Sequence, residues 1–398
     1  MVIKLILLLA LGAFGFGTAA SLYYQNRERP CGNDLSNLWL DVVIVVDNSK
    51  GMLQKNLDAI AGNIATIFGE IDLIGEHYTG EPGVNEKSTR IGLVTYNQDA
   101  SVVAHMDYFN SAANFSEGIF PAIGSVSSTE TSYVATGLGE AEKMLANEKL
   151  HRRRHFRQVV VVYASTYKGA GALNPVPVAD RLRSSGVQII TVGYSSSVDT
   201  ALIADLGKLS SPGKSFSNKE NNLNENIQSA LAQANCYCPN EFKQYRQDYN
   251  DMYAYKFGTC LLAVSAPSNR QAAVNACRQK GTDTYLVNEY SPHKHHFVAT
   301  MAQKTFKKPF KYFIGLQQNE NIWYWDQPNN GKTKALDHDF ANWLPGFPKT
   351  FDPSMTAVWN YETSTDDAQW ENVSPRKAAN YVCEKLACDT DHYCEPEN

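Results

Sequence analysis

Two short stretches carry side chains able to do chemistry. The first is Asp47-Asn48-Ser49-Lys50-Gly51, a carboxylate and a hydroxyl two residues apart, directly after the apolar run Val42-Val43-Ile44-Val45-Val46. Such a run reads as a strand buried on both faces. Leu57, Ile60, Ile64 and Ile67 then follow at helical spacing. Asp47 and Ser49 are therefore expected at the carboxyl end of a central strand, in the turn that opens a helix, which is where open α/β sheets bind ligands. Oxygens of this kind can join a divalent-cation site or satisfy the amino end of the helix. The second stretch is split: Trp343 and the Phe347-Pro348-Lys349 segment come first, and Trp370-Glu371-Asn372 follows. Exposed rings there would make a contact patch, although core packing is the commoner fate of Trp.

Other spacings carry less. Gly169-Ala170-Gly171 follows a strand but lacks the third glycine of a dinucleotide turn, and Gly331-Lys332-Thr333 lacks the earlier glycine of a phosphate loop. His293 and His296 share a three-residue spacing, but no carboxylate or Cys in the segment completes a zinc set, so an exposed helix start is expected. The basic run from His151 to Arg157 reads as a solvated loop, with a contact for acidic glycans or a processing site as the alternative. No HExxH, GxSxG or reactive-cysteine signature is present, and no catalytic residue is expected.

The chain that must position these groups has 398 residues, 43% hydrophobic and 19% charged, with a formal net charge of −5. That length argues for about two domains. The mildly acidic balance gives no footprint for nucleic acid. Residues 1–20 read as a secretory leader, with Lys4, an apolar run from Leu5 to Phe16 and small residues up to Ala20. No second long apolar run follows, so no membrane span is expected in a mature, secreted chain. The eight cysteines read as disulfides in that compartment. Asn114 and Asn372 head possible glycan-acceptor triplets, the second weakened by Pro375.

From Leu40 to about Ala234, strands over Arg90–Tyr96, Gln158–Tyr163 and Val187–Tyr194 alternate with helical patterns over Ala112–Ile123, Thr136–Asn147, Val178–Arg183 and Asn222–Ala234. Alternation of this kind predicts a mostly parallel, doubly wound sheet. This order resembles the von Willebrand factor A domain, whose adhesion site holds a metal ion through Asp-x-Ser-x-Ser, a Thr and a second Asp. The resemblance assigns Asp47 and Ser49 to the first loop, Ser132 to the Thr position and Ser165 to the Asp position. Gly51 leaves the third first-loop ligand missing. Asp47 is then the only charge of the set, so no cofactor is firmly expected and at most a weak Mg²⁺ site remains.

From Cys236 onward, cysteines and aromatics rise. Helical patterns at Asn269–Gln279 and Pro292–Thr305 precede short strands. Phe313-Ile314-Gly315-Leu316, Asn342-Trp343-Leu344-Pro345-Gly346, Trp370-Glu371-Asn372 and Tyr381-Val382-Cys383-Glu384 together resemble the C-type lectin-like domain. The resemblance implies Cys277–Cys383 and Cys238–Cys260 pairs. The family's inner pair is missing at both of its positions, near Thr356 and Pro375. Cys388 with Cys394 would close a small tail loop and Cys31 with Cys236 would tie the ends of the first domain, but connectivity does not follow from sequence. Family members hold Ca²⁺ with oxygens flanking a loop proline; here Phe347 and Lys349 flank Pro348, and Lys349 is expected to pair with Glu371.

The expected architecture is therefore α/β: a doubly wound von Willebrand A (Rossmann-like) domain followed by an α+β C-type lectin-like domain. The expected boundaries are a leader at 1–20, a linker at 21–37, domains at 38–235 and 236–386, and a tail at 387–398. The resemblance, shared with nematode lectin-like proteins, implies a secreted non-enzymatic recognition or adhesion protein for extracellular glycans or glycoproteins, with innate defence as one setting. Its ligand contacts would include Trp343, Phe347, Lys349, Glu371 and Asn372. The alternative is a structural matrix component with both ion sites vestigial.

Overall fold

The computed structural model describes residues 28–75, 87–147, 153–336, 339–350, 352–362 and 368–394. The expected leader, most of the linker and the last tail residues lie outside these. Two compact units emerge: one comprises Cys31–Tyr237 and the chain's end from Cys388, the other Cys238–Ala387 and the chain's start up to Pro30.

In the first unit a six-stranded sheet is built on β1 (Leu40–Asp47). β2 (Arg90–Tyr96) and β3 (Ala100–Ala104) lie on one side, and β4 (Arg157–Ala164), β5 (Gln188–Gly193) and β6 (Ser215–Ser217) on the other; only β2 and β3 run antiparallel. The sheet order reverses at β1, so the crevice between the carboxyl ends of β1 and β4 is the switch point at which such sheets take ligands. Every β1 residue is buried, because helices cover both faces. Val42, Ile44 and Val46 pack with α1 (Gln54–Phe68), α2 (Ala112–Ile123) and, later in the chain, Leu223–Asn235. Val43 and Val45 pack with α3 (Val134–Asn147) and α4 (Val176–Ser184). The short α5 (Thr200–Gly207) and β6 escaped the sequence reading; neither offers a long periodic pattern. Leu223–Asn235 is α6.

The polar residue that opens β1 also has a partner. Asp41 is 2% exposed and accepts from Arg90 Nε (3.0 Å) and Nη2 (2.8 Å) and from Arg153 Nε (3.0 Å) and Nη2 (2.8 Å). The expectation of a wholly solvated basic run is therefore corrected at Arg153, which is buried because it neutralises a buried carboxylate. Cys31 is bonded to Cys236 and Cys388 to Cys394. The tail packs within this unit: the Trp39 indole donates to the Asp389 carbonyl (2.9 Å), and Tyr237 and Cys388 exchange backbone hydrogen bonds.

The second unit contains β7 (Lys243–Arg246), β8 (Lys256–Ser268), β9 (Tyr285–Leu286), β10 (Lys311–Asn319), β11 (Ile322–Asp326) and β12 (Lys332–Lys334). It ends with β13 (Ala357–Glu362), β14 (Ala368–Val373) and β15 (Ala379–Leu386). Helices α7 (Arg270–Arg278) and α8 (Pro292–Thr305) complete it. The sheet runs β12-β11-β10-β15-β8-β7, with β13 joined to β10 and β14 to β13. β8 was not legible as a strand, since its second half is only partly buried and contains Pro267. Disulfides join Cys238 to Cys260 and Cys277 to Cys383.

The expected exposed start of α8 is half right. His293 and His296 are exposed, but Lys294 and His295 are 1% and 5% exposed. Buried carboxylates explain both: Lys294 Nζ lies 2.9 Å from Glu384 and 3.5 Å from Glu28, and His295 Nδ1 lies 2.7 Å from Glu289. Burial opposes the charge on Lys294, but the two carboxylates outweigh it and raise its pKa.

Candidate functional site

At the sheet crevice, Asp47 ends β1, Ser49 lies in the turn before α1, Ser132 precedes α3, and Ser165 follows β4. Asp47 is fully buried. Its Oδ1 accepts the Ser49 N–H (2.9 Å), and its Oδ2 accepts both the Ser165 N–H (3.1 Å) and the Ser165 hydroxyl (2.6 Å). The first loop is further tied down: Lys50 N–H donates to Thr129 O (2.8 Å) and Ser127 N–H to Asn48 O (2.8 Å). Ser49 makes no side-chain cap bond to the helical turn after it. The hydroxyls of Ser49, Ser132 and Tyr96 are buried without a hydrogen-bond partner of good geometry among the described residues. Burial, and then the charge on Asp47, push the Tyr96 phenol well above its usual pKa.

These residues do not fit a tightly held Mg²⁺. The ion wants six oxygens in near-octahedral geometry and sheds water reluctantly. The cradle offers one carboxylate already accepting three hydrogen bonds, plus neutral hydroxyls. Position 51 has room: a Cβ built there meets nothing closer than the Ser165 and Ser49 hydroxyl oxygens, each 3.8 Å away.

In the second unit the loop around Pro348 is closed on β14. Asn372 is 1% exposed; its Oδ1 accepts Lys349 N–H (2.7 Å), and its Nδ2 donates to Lys349 O (2.9 Å) and Met355 O (3.1 Å). That corrects Asn372 as a glycan acceptor, because its amide nitrogen is buried and engaged. The expected Lys349–Glu371 pair is also corrected. Lys349 Nζ sits 4.7 Å from the Phe347 ring centroid, while Glu371 accepts the Trp359 indole N–H (2.9 Å). Trp359, lying opposite Glu371 in the β13–β14 ladder, is the nearer partner. With the Asn372 oxygen facing an N–H and an ammonium beside Phe347, the loop does not supply the six to eight oxygens that Ca²⁺ takes.

Beneath this loop lies a network the sequence did not reveal. Glu289 is fully buried and accepts from His295 Nδ1 (2.7 Å), Trp370 Nε1 (2.8 Å), Tyr312 Oη (3.3 Å) and Asn360 Nδ2 (2.8 and 3.0 Å). Asn342 Nδ2 donates to Ala368 O (3.0 Å) and to His295 Nε2 (2.9 Å), so His295 carries its proton on Nδ1. Backbone bonds between Asn342, Leu344 and Trp370 fix Trp343 in place. Trp343 is half-buried, with its ring 5.2 Å from Trp323 and 5.6 Å from Trp370. A pocket of about 330 Å³ opens here, lined by Trp323, Trp325, Phe340, Trp343 and Trp370 among others. Of its lining, Trp343 was an expected ligand contact; the rest was forewarned only by the density of tryptophans. Phe347 and Lys349 are not among its lining residues.

Comparison with known proteins agrees with both halves of this geometry. Residues 41–230 match the von Willebrand factor type A domain and residues 266–385 the C-type lectin domain. The fold is thus that of a von Willebrand A-type domain followed by a C-type lectin-type domain. Among individual proteins it is similar to C-type lectin domain-containing protein 160 of Caenorhabditis elegans, with 27% identity over 386 residues. That match covers 92% of this chain and 56% of the relative, so the chain spans little more than half of that protein's length. Solved structures that match include proximal thread matrix protein 1 from the mussel byssus, with 18% identity, TM-score 0.38, and coverage of 51% of this chain and 46% of that one. The C-type lectin CEL-I from Cucumaria echinata matches with 16% identity and TM-score 0.30, covering 37% of this chain and 96% of that one.

Proposed function

We propose that this is a secreted, non-enzymatic recognition protein that binds glycan or glycoprotein surfaces without a tightly held Ca²⁺ at its lectin loop. The observation that carries the reading is the closure of that loop on β14. The Asn372 amide bonds the Lys349 backbone, Glu371 bonds Trp359, and the Lys349 ammonium lies over Phe347. Ion-mediated sugar binding needs those oxygens free; here the Asn372 oxygen holds the loop and a Glu371 oxygen is taken by the neighbouring strand. The sheet crevice of the first unit is read the same way, with Asp47 joining the first loop to Ser165 and any Mg²⁺ held weakly. No arrangement of nucleophile, base and oxyanion donors accompanies Asp47 among the described residues. Asn114, half-exposed and using its side-chain oxygen to accept Asn110 N–H (3.2 Å), is read as the glycan acceptor.

The test is a glycan array probed with the full chain, with and without chelator. Binding that survives chelation is expected. Binding abolished by chelator and restored by Ca²⁺ would overturn the reading, and no glycan binding at all would favour the matrix alternative.

A further inference from the structure

We infer that the tryptophan-lined pocket of the lectin domain, and not the loop around Pro348, is the sugar-binding site, taking a single pyranose ring by its apolar face. This deepens the recognition function proposed above and rests on it. Three properties select this occupant.

The first is shape. A volume of about 330 Å³ falls at the low end of small-molecule sites, with room for a ring and its substituents but not for a folded peptide. The second is rigidity. Trp323 is held in β11, which is paired on both sides, and Trp343 is clamped between the backbone bonds of Asn342 and Leu344 to Trp370. Walls that already hold their binding geometry lose little entropy when a guest arrives. The third is mixed chemistry. An aromatic face is electron-rich, and the axial C–H bonds of a pyranose present the complementary positive edge. A sugar also needs partners for its hydroxyls. Lys334 and Asp339 supply charges of both signs at the mouth. A pyranose carries hydroxyls that can accept from the one and donate to the other; the aliphatic side chain of a peptide does not.

The experiment is a titration of the full chain, in chelator, with a panel of free hexoses, N-acetylhexosamines and their methyl glycosides, read by tryptophan fluorescence and ligand-observed NMR. At least one sugar should bind saturably. Trp323→Ala should weaken it by about tenfold or more, as expected for loss of an aromatic contact. Trp323→Phe should stay within about threefold, and Phe347→Ala and Lys349→Ala should bind like the parent. Should Trp323→Ala fail to fold, the exposed rim variant Lys334→Ala serves, with an expected loss of about threefold. Unchanged affinity in folded Trp323→Ala, with binding lost in Phe347→Ala, overturns the pocket assignment and leaves ion-free recognition standing. Binding that appears only when Ca²⁺ is added overturns both. If no sugar binds, while a tryptophan-bearing peptide shifts the fluorescence of the parent but not of Trp323→Ala, the pocket is a peptide site and the inference fails.

Discussion

His155 makes the stability of the first unit sensitive to mild acid. Its ring is half-buried between Trp39 (5.9 Å), Phe156 (4.7 Å) and Tyr393 (5.8 Å), with Nε2 3.1 Å from the Tyr393 hydroxyl. Burial first, and the Arg153 guanidinium second, lower its pKa from 6.5 to about 4, against a smaller opposing pull from Asp41. In the unfolded chain the ring takes up a proton as the pH falls through 6.5; in the fold it resists until about 4. The unfolded state therefore binds more protons in that window, and stability falls as pH falls through it. A difference of that size corresponds to at most roughly 3 kcal/mol at 1.36 kcal/mol per unit. Because the ring is only half-buried, solvent screening reduces this to about 1–2 kcal/mol, a few degrees in Tm for a unit of this size. The assay is thermal and urea unfolding of the parent and His155→Phe at steps between pH 7 and 4. Carboxylate titration contributes equally to both proteins, so the expected signal is the difference: the parent loses about 1–2 kcal/mol more than the variant across the window. Parallel stability curves for the two would refute the reasoning.

Three further outcomes are expected. Glu289→Gln places an NH₂ group against an array of donors, and breaking a buried charge network of this kind costs about 3–5 kcal/mol; calorimetry should show the lectin unit melting markedly earlier, and a shift under about 1 kcal/mol would contradict the network. Gly51→Ser combined with Ser165→Asp adds a hydroxyl and a carboxylate where position 51 has room, so millimolar Mg²⁺ should raise the Tm of the double variant and leave the parent's nearly unchanged. Asn114→Gln should remove one glycosidase-sensitive gel shift from secreted protein, whereas Asn372→Gln should leave the glycan pattern as it is, because the Asn372 amide is buried and bonded to Lys349 and Met355.

The fold was legible where burial writes itself into long apolar runs. β1 and β4 are buried on both faces by two layers of helices, so Val42–Val46 and Val159–Val162 could be read without a partner in view. β8 was not, because its second half is only partly buried and its pairing with β15 is non-local: Cys383 lies opposite Leu262, and no local pattern encodes that. The sites divide in the same way. Asp47 was legible from its place at a strand end, and Arg153 was missed because a charge run looks alike whether solvated or folded onto Asp41. Glu289 gathers partners from α8, β10, β13 and β14, and such convergence exists only after folding. The Lys349–Glu371 expectation failed for a related reason: it weighed charge and not register, and the ladder sets Trp359 opposite Glu371.

Both ion positions expected from the family patterns share one physical arrangement here. At the sheet crevice a hydroxyl at position 165 donates to Asp47, so the carboxylate that would face a cation faces a protein donor. At the lectin loop the Asn372 oxygen accepts a backbone N–H and Glu371 accepts an indole N–H. Asp47 thus ties the end of β1 to the segment after β4, Asn372 ties the Pro348 loop to β14, and Glu371 joins β14 to β13. A loop closed by its own hydrogen bonds keeps its shape whether or not divalent ions are present. Such a loop lacks the open coordination positions through which a bound ion grips a ligand. Under the function proposed above, recognition falls to surfaces whose affinity comes from shape and aromatic contact, which is what the walls formed by Trp323 and Trp343 offer.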